Sequence, residues 1–181
     1  DTDIILSDDG LQHYALKRDI EIAVSRYLSL GNGLMLPAGP LREPRGRLKR
    51  VDLTINRDGD QVIESLGKVW NLARPEKTKH ISEFMGRQVH ALAGIGFPEI
   101  FFASLAQMGV DVIEHEFPDH HEFSVQDVSL KPELPILVTH KDAVKLKGIA
   151  RENLWVVPLN IEFSEALSNQ ILELLESRHH G

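Results

Sequence analysis

Between Gln88 and His115 the chain carries the pattern that most restricts its fold: a short apolar run, a glycine turn, a proline-opened amphipathic stretch and a second short run. Val89 to Ala93 reads as a strand, Gly94 to Gly96 as a tight turn, and Pro98 to Met108 as a helix whose Phe101, Leu105 and Met108 share a face. Val110 to His115 reads as the next strand. A strand, a glycine turn and a helix N-terminus can bind an anion. The lone Gly94-Ile95-Gly96 is a weak signal for that, so an ordinary crossover unit of a parallel sheet is preferred. Phe101 and Phe102 are read as core rather than as a ligand platform. Further on, Leu134 to Thr139 and Leu154 to Pro158 read as strands, and Lys141 to Ile149 as a helix. Ser164 to Glu176 reads as a final helix, with Ser164 as its N-cap and an apolar stripe of Leu167, Ile171, Leu174 and Leu175. The expected fold class is α/β, with mostly parallel sheets and flanking helices.

Size and composition bound the rest. With 181 residues, 42% hydrophobic and 26% charged, the chain suits one or two globular domains. It has no apolar run long enough to span a bilayer and no charged-then-apolar leader, so soluble or peripheral material is expected. The absence of cysteine excludes disulfide scaffolds and thiolate metal sites. A formal charge of −7 argues against general nucleic-acid binding while leaving room for a local basic patch. The chain starts without methionine, at a strand beginning on the first or second residue, which leads us to expect the C-terminal part of something longer.

At that start, Asp3-Ile4-Ile5-Leu6-Ser7-Asp8-Asp9-Gly10-Leu11-Gln12-His13 reads as a buried strand, about Asp3 to Ser7, ending in a polar cluster. Carboxylates at such a strand end are how nucleoside triphosphatases and kinases hold magnesium against phosphates. On spacing alone an aspartate turn or N-cap pair is the preferred reading of Asp8 and Asp9. Asp19 to Val24 alternates as a second strand. Then Gly31 to Pro44 packs three glycines and three prolines into fourteen residues, which forbids a regular element and suggests a stiff functional wall. Positive charge follows in Arg42, Arg45, Arg47, Lys49 and Arg50, suited to an anionic ligand or membrane surface, or simply to a solvated helix face. Glu43 inside this group is either paired with its neighbours or recruited to a metal.

Residues 51–86 read as a region between two lobes, with a strand at Asp52 to Asn56 and a turn at Arg57 to Asp60. Phe117-Pro118-Asp119-His120-His121-Glu122-Phe123 admits three readings. His115, Asp119, His120 and His121 could ligate zinc. A histidine oriented by Asp119 could serve catalysis. The segment could also be a polar turn capping a helix at Ser124 to Asp127.

Taken together, Asp8-Asp9-Gly10-Leu11-Gln12-His13, Arg18-Asp19-Ile20-Glu21, Gly31-Asn32-Gly33 and Leu36-Pro37-Ala38-Gly39-Pro40-Leu41-Arg42-Glu43-Pro44 resemble the tetraacyldisaccharide 4′-kinase family of lipid A biosynthesis. His90 to Gly96, Phe101-Phe102, Phe117 to His121 and Lys141-Asp142-Ala143-Val144-Lys145 continue the resemblance in order, to about Pro158. It implies ATP-dependent phosphorylation of the 4′-hydroxyl of a tetraacyldisaccharide 1-phosphate, giving lipid IVA, at the cytoplasmic face of the bacterial inner membrane. It also implies a partial P-loop NTPase-like lobe in residues 1–50 and a smaller C-terminal α/β lobe in residues 87–181. The family's N-terminal portion, with the phosphate loop needed for ATP, an aspartate acting with a histidine and a membrane-associating helix, would precede Asp1. On this resemblance Asp8, Asp9 and Glu43 are the magnesium ligands, His120 and Asp9 the catalytic residues, and Gln12 and His13 line the ATP site. Arg42, Arg45, Arg47 and His121 would meet the lipid disaccharide or an anionic membrane surface, with His121 also the fallback for His120. Lys141 and Asp142 are possible site residues, and His140 stands where the family usually has Glu. A metal-dependent phosphohydrolase and a non-catalytic anion- or lipid-binding module are the alternatives.

Overall fold

The computed structural model describes residues 3–26 and 30–179. Asp1 and Thr2, where the first strand was expected to begin, lie outside them. The chain divides into two compact units, one of Asp1–Ile63 with Ile161–Gly181 and one of Glu64–Asn160.

The Glu64–Asn160 unit is built on a six-stranded sheet. Its strands are β4 (Val69–Asn71), β5 (Thr78–Lys79), β6 (Gln88–Ala93), β7 (Asp111–Glu116), β8 (Ile136–Thr139) and β9 (Leu154–Val157), in spatial order β5-β4-β9-β8-β6-β7. The four strands from β9 to β7 are parallel, and β4 adds on antiparallel to β9. Helix α1 (Pro98–Gln107) carries the chain from β6 to β7, and α2 (His140–Leu146) with a 3-10 turn leads from β8 towards β9. Alternation along β6 separates two cores. Val89, Ala91 and Ala93 pack with Phe101, Phe102 and Leu105 of α1, whereas Leu92 packs with Ile136, Val138, Ala143 and Leu146 on the α2 side. Period-two side chains on a strand buried on both faces require this division, so the helices cover opposite faces.

In the other unit β1 (Ile22–Ser25) and β2 (Leu53–Asn56) pair in parallel, and α3 (Glu165–His179) lays Leu167 and Ile171 against Ile55, Val62, Ile22 and Leu53. Ser164 accepts the Leu167 N–H at 3.2 Å, as an N-cap should. Strands β3 (Val62–Leu66) and β10 (Leu159–Phe163) pair with each other, and the unit boundaries fall inside both.

Four expectations change. The run Ile4-Ile5-Leu6 is not a strand: it is irregular, with Ile5 86% and Leu6 91% exposed. An apolar run becomes a buried strand only when neighbouring strands take its backbone hydrogen bonds, and none among the described residues pairs with it. Residues 51–86 are not a separate connecting region, because β2 belongs to the first unit and β4 and β5 are built into the second unit's sheet. Nor do residues 87–181 form one lobe, since α3 packs back into the first unit. Met108, expected on the apolar face of α1, follows the helix and is exposed; Phe102 takes the buried place.

One partly buried polar pair bridges β6 and β7. His90 Nδ1 and His115 Nε2 are 2.9 Å apart across β6 and β7, and His90 Nε2 is buried without a hydrogen-bond partner. Burial pushes both imidazoles below the ordinary histidine pKa, and the neighbouring His115 adds to the effect on His90. Above the ordinary value of about 6.5 neither state binds the proton; below it the unfolded chain does and the folded chain resists, so stability falls with pH until the folded pKa values are passed. Urea midpoints at about pH 7.5 and 5.5 should therefore show an acid loss that His90→Leu reduces. An equal loss with and without His90 would show that the pair is not its source.

Candidate functional site

Two polar sites stand out, one in each unit. In the first, Asp8 and Asp9 form a turn, with Asp9 at φ 50°, a left-handed conformation that Asp tolerates better than most residues. The glycine- and proline-rich loop is folded on itself: Leu36 N–H reaches Leu41 O at 2.9 Å, Leu41 N–H reaches Leu34 O at 3.1 Å, and the Asn32 amide donates to Ala38 O at 2.9 Å. A Cβ on Gly39 would run into the Leu34 carbonyl, so the tight return needs glycine there.

This loop delivers Arg42 and Glu43 to the Asp9 turn. Arg42 Nη1 donates to Asp9 Oδ2 at 2.7 Å, and Gln12 Nε2 donates to Glu43 Oε1 at 2.9 Å. Tyr14 Oη donates to Glu43 Oε2 at 2.7 Å. Asp9, Gln12, Arg42 and Glu43 line one open cleft with Val24 and Leu41. The Tyr14 hydroxyl, more than any other group, holds the Glu43 carboxyl below its usual range, and Glu43 in return raises the Tyr14 phenol. Asp8 is exposed on this turn, and His13 is exposed just after the following one, its N–H on the Gly10 carbonyl at 3.0 Å.

The arginines divide. Arg47, whose side chain is only 16% exposed, donates to both Glu21 oxygens at 2.7 and 2.8 Å and lies 3.5 Å from Glu43. Expected to meet an anionic headgroup, it instead ties the loop to Glu21. Arg18 works beside it, donating to Gly10 O at 2.6 Å and pairing with Glu21 at 3.1 Å. Arg42, Arg45, Lys49 and Arg50 present exposed side chains. Tyr14, Arg18 and Glu21 were not among the predicted site residues; their spacing gave no sign that Tyr14 would reach Glu43, Arg18 the Gly10 carbonyl, and Glu21 both Arg18 and Arg47.

As a magnesium site, the turn has the right donor chemistry. Asp8 and Asp9 offer hard carboxylate oxygens, and Mg²⁺ takes one or two carboxylates while keeping several waters. Glu43 fits less well, because its oxygens already accept from Gln12 and Tyr14. Among the described residues no group of three or more carboxylates and imidazoles converges on a metal position. That also removes geometric support for zinc at His115, Asp119, His120 and His121.

In the second unit the two histidines separate. His121 is packed between Phe117, stacked at 4.6 Å between ring centres, and Phe123 at 5.0 Å, and its Nε2 lies 3.2 Å from Asp127 Oδ2. Asp127 also accepts the Ser124 N–H and hydroxyl, which makes Ser124 to Asp127 a capped turn and not the helix expected there. His120, in contrast, presents a side chain 80% exposed. Lys141 donates to Asp119 at 3.0 Å, and this bond leads the causes that hold the Asp119 carboxyl below its ordinary value. Asp142 is fully buried and accepts from the Gly94 N–H at 3.0 Å and from Thr139 Oγ1 at 2.7 Å. His140, in place of the family's usual Glu, meets the Trp70 ring edge-on at 6.3 Å.

These units define an α/β protein with mostly parallel sheets and a carboxylate turn closed by a basic, proline-rich loop. The family model described as tetraacyldisaccharide-1-P 4′-kinase matches residues 1–176. The tetraacyldisaccharide 4′-kinase of Azoarcus sp. (strain BH72) is 46% identical over 192 residues, covering 99% of this chain and 55% of that protein. That of Methylobacillus flagellatus is 44% identical over 182 residues, covering 95% and 53%. The crystal structure of the apo form of LpxK from Aquifex aeolicus in complex with ATP superimposes with a TM-score of 0.68 at 26% identity, covering 92% of this chain and 56% of that one. The chain belongs to the tetraacyldisaccharide-1-phosphate 4′-kinase family and spans about half the length of the relatives it matches.

The Glu43 network is open to direct titration. By carbon-detected NMR, the Glu43 carboxyl should titrate below the ordinary glutamate value of about 4.3, and Tyr14→Phe should move it upward. A Glu43 titration indifferent to Tyr14 would remove the phenol as its cause.

Proposed function

We propose that this chain forms part of an ATP-dependent kinase that transfers the γ-phosphoryl group to the 4′-hydroxyl of tetraacyldisaccharide 1-phosphate, forming lipid IVA. The observation that carries the reading is the family match over residues 1–176, with Asp9, Gln12, Arg42 and Glu43 lining one cleft. The Aquifex relative was crystallised with ATP, which supports ATP as the donor.

Asp8 and Asp9 would hold Mg²⁺, which when bound neutralises phosphate charge during phosphoryl transfer. Glu43 orders Gln12 and Tyr14 and through them the shape of the turn. Arg42 holds Asp9 now; its exposed guanidinium is also suited to phosphate oxygens as a planar pair of donors. Gln12 and His13 are assigned to the nucleotide side. Arg42 and Arg45 are assigned to the anionic headgroup, with Lys49 and Arg50 facing an anionic membrane surface. No helix among the described residues is long and apolar enough to cross a membrane, and the reading places the protein peripherally at the cytoplasmic face of the inner membrane. The phosphate loop and the hydroxyl-activating aspartate would come from a segment before Asp1.

His120 is assigned to assist that aspartate by holding or moving a proton at Nε2, which has Asp119 at 3.5 Å. The packing of His121 between two rings and Asp127 favours His120 for this role.

In protein made at the full length of its relatives, Asp8→Ala with Asp9→Ala should abolish nearly all transfer from ATP to the lipid. His120→Ala should lower kcat roughly 100-fold or more with little change in Tm. His121→Ala should act first on thermal stability, through lost ring packing. Phosphate release from the lipid without nucleotide, or full activity in the double aspartate variant, would overturn the kinase reading in favour of a hydrolase or a binding module.

A further inference from the structure

Resting on the kinase reading, we propose that Lys141 is a positioning residue that sets, through Asp119, how the His120 imidazole is presented. His120 has φ 63°, in the left-handed region that non-glycine residues enter uncommonly and that His tolerates better than most. Asp119 holds it there. Its Oδ1 accepts the backbone N–H of His120 at 3.0 Å and the Lys141 ammonium at 3.0 Å, while Oδ2 lies 3.5 Å from His120 Nε2. One carboxylate thus governs both the backbone and the ring of His120, and Lys141 governs the carboxylate.

Lys141 can do this because its own backbone is fixed. It lies in the first turn of α2, where Thr139 Oγ1 accepts the Asp142 N–H at 3.1 Å. The buried Asp142 carboxylate binds the Gly94 N–H at the end of β6, and Lys145 Nζ bridges Asp142 Oδ1 at 3.0 Å and Gly94 O at 3.2 Å. The helix start is fastened to the end of β6, and Lys141 reaches from that anchor to the histidine loop. Its ammonium adds little to folding: the Lys141 and Asp119 side chains are 51% and 42% exposed, and pairs so exposed contribute little to stability. A rigid support carrying an exposed, weakly stabilising ion pair onto a left-handed histidine is the arrangement of a positioning group.

The test uses Lys141→Ala and Lys141→Arg with two readouts. In the full 181-residue chain, Lys141→Ala should raise solvent exchange of the His120 amide roughly tenfold, and Lys141→Arg should restore its protection. In protein of full relative length, Lys141→Ala should lower kcat roughly tenfold, with KM for ATP and lipid unchanged and Tm shifted by no more than about 2 °C; Lys141→Arg should recover most of kcat. Unchanged amide exchange in Lys141→Ala, or unchanged kcat where His120→Ala is still crippled, overturns the inference. So does a kcat loss accompanied by a Tm drop well beyond about 2 °C that Lys141→Arg does not repair. If the unsubstituted full-length protein transfers no phosphate, the kinase reading falls, and the amide exchange decides the role of Lys141 by itself.

Discussion

A parallel strand with both faces buried must release its chain at one end into connections that cover it, and β6 imposes that constraint on its whole unit. It pairs with β7 on one side and β8 on the other, in parallel both times. Its odd-numbered residues face α1 and Leu92 faces α2, so the connections after β6 and after β8 leave on opposite faces. The carboxyl ends of these two neighbouring strands are therefore where the chain diverges, the place where open α/β sheets hold their ligands. Gly94, Thr139 and Asp142 meet there, and Lys141 starts from the same point. The Asp142 carboxylate takes the Gly94 N–H that no strand partner accepts, while its own backbone N–H is taken by Thr139 Oγ1, the N-cap of α2. A carboxyl so buried is tolerable because the Gly94 N–H, the Thr139 hydroxyl and the Lys145 ammonium all donate to it.

The first unit is organised by charge more than by a sheet. Its basic residues look in sequence like one patch, but Arg18 and Arg47 turn inward to Glu21, and Arg47 also approaches Glu43. Arg42 is left with Asp9 at the surface, and Arg45, Lys49 and Arg50 are exposed. Guanidinium groups suit both tasks, since they bind carboxylates in the protein and phosphates outside it through the same donors. Which arginine does which depends on the fold of the loop from Gly31 to Pro44, whose glycines permit turns that a Cβ would block.

Much of this was legible in the chain. The β6, α1 and β7 unit, β8 with α2, β9 and the capped final helix all come from strong local signals: period-two and helical spacing, a proline at a helix start and a serine before an apolar stripe. The Asp8-Asp9-Gly10 turn and the Arg42-Glu43 loop were visible as motifs, and Asp9, Gln12, Arg42 and Glu43 do come together. Less legible were properties that depend on neighbours. Ile4 to Leu6 has the composition of a buried strand yet pairs with none described. His120 and His121 are adjacent and chemically identical, but two phenylalanines and Asp127 surround only the second.

The amino-acid sequence by itself determined the class of fold, the position of its regular elements and the carboxylate, basic and histidine motifs, because these are set by residue type and spacing within a few turns of chain. Tertiary structure alone decided where the two units divide, which arginines are paired with carboxylates inside the first unit, and which histidine presents an exposed side chain. It also joined Asp142 to Gly94 and Lys141 to Asp119 across 48 and 22 residues. Side-chain pairings over such separations depend on which strand ends lie side by side, and local spacing carries no record of that.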